Sequence, residues 1–298
     1  MYEQALRNGE EDMIQIKKGS KIGIVACSNA YPLSYQAKLE VLCQKVRALG
    51  WIPLLSQRMY VEDHVFSGTG KQKAEELMKM YQDPEIQAIF DISGGNLANE
   101  VIPWLDYDMI QNNPKPMFGY SDLTCILNAI HTKTNVPTYL YQLRNLMYEH
   151  GDLQESWLRE TLIEGKNSLF EFPVRFIQGE KMEGVLIGGN IRCILKLAGT
   201  PYFPDLKGKV LALESMSGKA ELIVSLLTQL KMLGAFEQVS GILLGTFTEL
   251  DSDNSQPSIE ELIVRVVEQL DLPIAITSSF GHGNDSKCLR IGEWIHLT

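Results

Sequence analysis

Apolar positions along this chain follow two alternating rhythms, one of short continuous runs and one of helical spacing. Lys21-Ile-Gly-Ile-Val-Ala-Cys27 is an unbroken apolar run, the pattern of a parallel strand buried on both faces. Residues 35–49 then recur at helical spacing until Gly50 stops them. Residues 51–55 read as a second strand, 71–81 as a helix closed by Asp83-Pro84, and 86–92, through Ala88-Ile-Phe90, as a third strand. A helix is expected from Leu97, a polar Asp106-Tyr-Asp108 stretch after it, and a fourth strand through Met117-Phe118. Leu123, Ile126, Leu127 and Ile130 fall at i, i+3, i+4 and i+7, so a helix follows that strand directly. Strands alternating with helices in this way predict an α/β, parallel, doubly wound sheet, in which ligands bind beyond the carboxyl ends of the strands.

Farther on the rhythm loosens. Thr138–Glu149 is rich in Tyr and Leu, 152–164 reads as a helix, and 170–184 is mixed and charged, as a connector or edge hairpin would be. Val185-Leu-Ile-Gly-Gly-Asn190 opens a second region. There 209–214 reads as a strand, 220–233 as a helix stopped by Gly234, 239–245 as a strand, 259–270 as a helix and 273–277 as a strand. The expected organisation is an α/β domain over 1–150, a connector over 151–180 and a second domain over 181–298, and 298 residues suffice for two cores. No internal repeat or low-complexity tract interrupts the pattern.

Composition narrows the class. Hydrophobic residues at 45% and charged residues at 21% are ordinary for a soluble globular enzyme. A net charge of −10 argues against a nucleic-acid partner and against an anionic membrane surface. Residues 1–20 carry Glu3, Glu10, Glu11 and Asp12 and no apolar core, so no signal peptide is expected. No run approaches the roughly 20 apolar residues of a membrane helix. Cys27, Cys43, Cys125, Cys193 and Cys288 are odd in number and never spaced C-x-x-C, which reads as reduced thiols in a cytoplasmic protein. His64, His131, His150, His282 and His296 show no metal-ligand spacing, so no metal is expected. Gly68-Thr-Gly70-Lys71 resembles a phosphate loop only in part: Val65 and Gln72 stand where its first Gly and its Ser or Thr belong, and no cofactor is expected.

Three residues at strand ends carry candidate chemistry. Ser121 follows Gly119 at the turn from strand to helix, where backbone N–H groups and the positive helix end would face a ligand. It reads either as a nucleophile with N–H donors for its oxyanion or as a helix cap, and Leu123 replaces the second glycine of Gly-x-Ser-x-Gly. His282, between Gly281 and Gly283, reads as a general base or as a polar loop residue. Glu214 closes a buried-looking strand and reads as the acid orienting an imidazole or as a carboxylate reaching solvent. Gly94-Gly95 at the end of the third strand allows a close backbone approach to a ligand.

Gly119-Tyr-Ser-Asp-Leu-Thr124, after Asn113-Pro-Lys-Pro116, resembles the nucleophile signature of the serine LD-carboxypeptidases, a family that also contains the microcin C immunity proteins. The resemblance continues through Ile22-Gly-Ile-Val-Ala26, Asp83-Pro-Glu-Ile-Gln-Ala-Ile89, Gly94-Gly95, Leu105-Asp-Tyr-Asp108 and Gly188-Gly-Asn190. It extends to Leu213-Glu214, Gly241-Ile-Leu-Leu-Gly245 and Phe280-Gly-His-Gly283. It implies a parallel N-terminal domain, a smaller mixed α/β C-terminal domain, a site in the cleft between them, and a homodimer. It implies Ser121 as nucleophile, His282 as general acid–base and Glu214 as its partner, with N–H groups of Asp122 and of the Gly94-Gly95 turn as the oxyanion hole. The implied substrate is a murein tetrapeptide that loses its terminal D-alanine, or alternatively a peptidyl-nucleotide antibiotic. A catalytically silent binding protein on the same scaffold is the reading from a different class. Carboxypeptidase members usually carry an arginine before the glycine pair. Here Ser93 stands there, and Gly95-Asn96 is closer to the immunity branch. Thr138–Arg144 replaces a usual Gly-Pro turn, and Ser286–Arg290 lacks a usual proline. Arg144 and Arg192 are the candidates for holding a substrate carboxylate.

Overall fold

The run at Lys21–Val25 forms β1, an inner strand of the first of two six-stranded sheets. The computed structural model describes residues 14–298 apart from 254, 256 and 269, so most of the acidic stretch read above for a leader lies outside the described residues. After β1 come α1 (Gln36–Ala48), β2 (Ile52–Leu55), α2 (Gly70–Gln82), β3 (Ile86–Asp91) and α3 (Tyr107–Asn112). β4 (Met117–Gly119), α4 (Thr124–Thr134), β5 (Thr138–Leu140) and α5 (Gly151–Leu162) complete the first half. The second half runs β6 (Arg175–Gln178), β7 (Met182–Asn190), α6 (Ile191–Leu195), β8 (Val210–Ser215), α7 (Ala220–Met232) and β9 (Gly241–Phe247). It ends with α8 (Ile259–Val267), β10 (Ile274–Ile276), β11 (Leu289–Ile291) and β12 (Trp294–Leu297).

The first sheet has the order β11-β5-β4-β3-β1-β2 and is parallel except for β11. The second has the order β12-β7-β8-β9-β10-β6, with a parallel centre and antiparallel edges. The α/β architecture with two parallel-centred sheets is the one the alternating pattern implies.

Several elements differ from the periodicity. The helix expected from Leu97 is a pair of 3-10 turns, Ala98–Glu100 and Ile102–Trp104, because Pro103 has no N–H for a continuous α-helical ladder. Residues 170–184 form no hairpin: β6 pairs with β10, not with β7. α8 stops at Val267, short of Leu270. β11 and β12 are too short to show a rhythm, and β11 carries the chain back to pair with β5 in the first sheet.

One core layer packs Leu42 and Val46 of α1 and Leu158 of α5 on Ile22, Ile24, Phe90 and Phe118. On the other face a single cluster runs from Ile126, Leu127 and Ile130 of α4 into Leu186, Ala212 and Leu243 of the second sheet. α4 lies between the two sheets and is buried from Thr124 to Ile130, so its apolar positions extend around the helix.

Candidate active site

At the end of β4 the chain turns within two residues. A Cβ on Gly119 would stand 2.8 Å from the Cβ of Leu123, so only glycine lets the turn close. Ser121 takes φ +56°, the left-handed region, at a cost of roughly 1–2 kcal/mol for a residue with a Cβ. No side chain caps the 3-10 turn Ser121–Leu123 or the start of α4, so the serine hydroxyl is not spent on the helix. Its Oγ lies 3.1 Å from Nε2 of His282 instead.

His282 Nδ1 is 2.7 Å from Oε2 of Glu214. Glu214 is fully buried near the end of β8, and its other oxygen accepts a hydrogen bond from Asn190 Nδ2 at 3.0 Å. A carboxylate can only accept, so Nδ1 carries the imidazole proton and the Nε2 lone pair faces the serine. The histidine loop is held from several sides. Gly281 has φ +140°, and a Cβ there would stand 1.8 Å from Thr246 Oγ1, which excludes other residues. Ser286 Oγ bonds the carbonyls of Gly281 and Gly283, each at 2.7 Å. Gln154 Nε2 donates to the carbonyls of Asn284 and Ser286 at 3.0 Å. The Tyr120 ring meets the imidazole edge-on at 5.1 Å.

Gly94 and Gly95 line the same cleft of about 660 Å³ as Ser121 and His282. Asp91, at the end of β3, accepts from the backbone N–H groups of Cys27 and Ser93, both at 2.8 Å, and so ties the loops after β1 and β3 together. Burial pushes its carboxyl upward, and the hydrogen bonds of Ser93 and Cys27 work against that. Ser93 is buried and bonds Asp91 Oδ1 through its hydroxyl, so it presents nothing to the cleft. The Asp122 side chain is fully buried and turned away from Ser121. It accepts from Ser28 Oγ at 2.6 Å and from the Ala98 N–H at 2.9 Å, and it pairs with Lys196 of the second half.

The structure therefore brings Ser121, His282 and Glu214 into one hydrogen-bonded chain, with Gly94 and Gly95 in the cleft beside it. Arg144 lines that cleft. Arg192 does not: its guanidinium donates to the Gly95 carbonyl at 3.2 Å and to the Asn96 side chain, holding the glycine loop from outside. Sequence reasoning missed the roles of Asn190, Gln154 and Lys196. Of these only Asn190 left a signal, an amide at the end of the apolar run 185–190. Among the described residues no three His, Cys, Asp or Glu side chains are grouped to hold a metal ion. No helix among them is long and apolar enough to cross a membrane. A hydroxyl beside an oriented imidazole is the arrangement that makes a serine nucleophilic.

Residues 22–141 match the LD-carboxypeptidase N-terminal domain, and residues 183–297 match the LD-carboxypeptidase C-terminal domain. The microcin C7 self-immunity protein MccF of Escherichia coli is 28% identical over 262 residues, covering 77% of this chain and 76% of that protein. A murein tetrapeptide carboxypeptidase of Pseudomonas aeruginosa is 25% identical over 270 residues, covering 86% of each. The solved structure of MccF in complex with glutamyl sulfamoyl guanosine superposes with a TM-score of 0.87 at 22% identity, covering 95% of this chain and 94% of that one, a likeness of fold.

Proposed function

The chain belongs to the LD-carboxypeptidase family, and from that premise we propose that it is a cytoplasmic serine carboxypeptidase that cleaves an L,D-amide bond and releases terminal D-alanine from murein tetrapeptides. The observation that carries the reading is the chain Ser121 Oγ to His282 Nε2 at 3.1 Å and His282 Nδ1 to Glu214 at 2.7 Å. In this reading Ser121 attacks the amide carbonyl while His282 takes its proton, and buried Glu214 stabilises the imidazolium. The N–H groups of Asp122 and of the Gly94-Gly95 turn receive the developing oxyanion. His282 returns the proton to the leaving amine, and water then hydrolyses the acyl-enzyme along the same route.

Hydrolysis of murein tetrapeptide by the wild type and by Ser121→Ala is the test. Release of D-alanine falls to background in the variant, and turnover retained there refutes the assignment. A second reading, hydrolysis of a peptidyl-nucleotide in the manner of the immunity branch, is favoured by Gly95-Asn96, which is closer to that branch, and by the likeness to MccF. Offering both substrates to one preparation separates the two. Labelling of Ser121 by a fluorophosphonate separates either from a silent binding protein.

A further inference from the structure

Arg144 sits in the 3-10 turn Leu143–Met147, anchored by buried Leu143 and Leu146, and its own backbone N–H donates to Gln142 Oε1 at 3.2 Å. Its side chain lines the cleft together with Ser121 and His282. One terminal nitrogen lies 4.0 Å from where a Cβ on Gly94 would stand, so the guanidinium is on the glycine-pair side of the nucleophile. Tyr31 backs it, with ring centroid 5.8 Å from the guanidinium carbon. Nε is shut off from solvent and has no hydrogen-bond partner. Among the described residues the guanidinium makes no ion pair and no hydrogen bond. The other cations around the site are committed: Arg192 to Gly95 and Asn96, and Lys196 to Asn96 and Asp122.

A half-buried cation without a counter-charge is unfavourable unless something else supplies the charge. The planar fork of a guanidinium fits the two oxygens of a carboxylate, and the stiff turn beneath it fixes where those oxygens would lie. We infer that Arg144 is the specificity residue that receives the free terminal carboxylate of the substrate residue released by Ser121. This rests on the amide-hydrolase reading above. It requires a substrate ending in a free acid one residue beyond the cleaved carbonyl, a span of about 3.8 Å between consecutive Cα atoms.

The test uses the full-length Ser121→Ala protein, which binds without turning over, titrated calorimetrically with murein tetrapeptide and with its C-terminal carboxamide. The acid binds at least tenfold more tightly than the amide. In Ser121→Ala/Arg144→Gln the acid falls to the affinity of the amide, and Arg144→Lys recovers part of the difference. Equal binding of acid and amide, no binding of the acid, or an acid preference that survives Arg144→Gln overturns the inference. The acid–amide comparison needs no change at Arg144, so a misfolded variant does not decide the outcome. Failure of the hydrolase reading shows itself differently, as a wild type that binds the acid tightly and does not cleave it.

Discussion

Ser121 stands at φ +56°, where any side chain with a Cβ is strained, yet no glycine occupies the position. The strain lifts the hydroxyl off the helix and toward the imidazole 3.1 Å away. Removing the hydroxyl therefore has a stability signature apart from catalysis. Ser121→Gly is more stable than Ser121→Ala by about 1 kcal/mol, the reverse of the usual order, because only glycine is relaxed there. Urea unfolding of the two variants measures it, and an alanine variant of equal or greater stability contradicts the strain. Sequence pattern could mark the turn, since Gly119-Tyr-Ser121 sits between an apolar run and a helical repeat. It could not choose between cap and nucleophile, because that choice lies in the direction of one hydroxyl.

At the scale of elements, α4 is the piece on which the site is built. The 3-10 turn that leads into it carries Ser121, and its body is tied to β7 of the second sheet. Asn128 Nδ2 donates to the Gly188 carbonyl at 2.9 Å and Asn128 Oδ1 accepts from the Gly188 N–H at 2.9 Å, so one side chain satisfies both backbone groups. Thr124 Oγ1 accepts from the N–H of Asn190, the residue that holds Glu214. Asn128→Ala leaves the two buried polar groups of Gly188 without partners. We expect a loss of roughly 2–5 kcal/mol, read as a lowered urea midpoint at unchanged slope. The helix was legible from its spacing. The polar residue within it was not, because a buried Asn and an exposed Asn look alike until the facing strand is known.

The two sheets share one apolar cluster through α4, and β11 carries the tail back to the first sheet. His131, on the helix between them, makes part of the molecule's stability depend on pH. His131 of α4 shares a cleft with Lys115, Lys209 and Gly292, and a Cβ on Gly292 would stand 2.3 Å from its Nδ1. Burial, with Lys209 adding to it, pushes this histidine down to about 4. The unfolded chain takes a proton on His131 near the ordinary value of 6.5 and the folded one resists it. Its contribution to stability is therefore intact above pH 6.5 and is lost as pH falls from there toward 4. His131→Gln flattens that part of the profile, as urea midpoints between pH 7.5 and 4 would record. An unchanged slope in the variant refutes it.

Local pattern alone determined the alternation of strands and helices, the parallel sheets, and the strand ends at which Gly94, Ser121, Glu214 and His282 lie, because periodicity of burial is written into residue order. Tertiary structure decided that β11 joins the first sheet, that β6 forms an edge, and that Ser121, His282 and Glu214 meet within 3.1 Å and 2.7 Å contacts. Among the described residues it also left the Arg144 guanidinium with neither hydrogen bond nor ion pair, while Arg192 is bonded to Gly95 and Asn96. The contacts that join these strands and the three site residues lie 68 to 161 positions apart in the chain. No local preference encodes them; they follow from the packing of two sheets on the one helix between them.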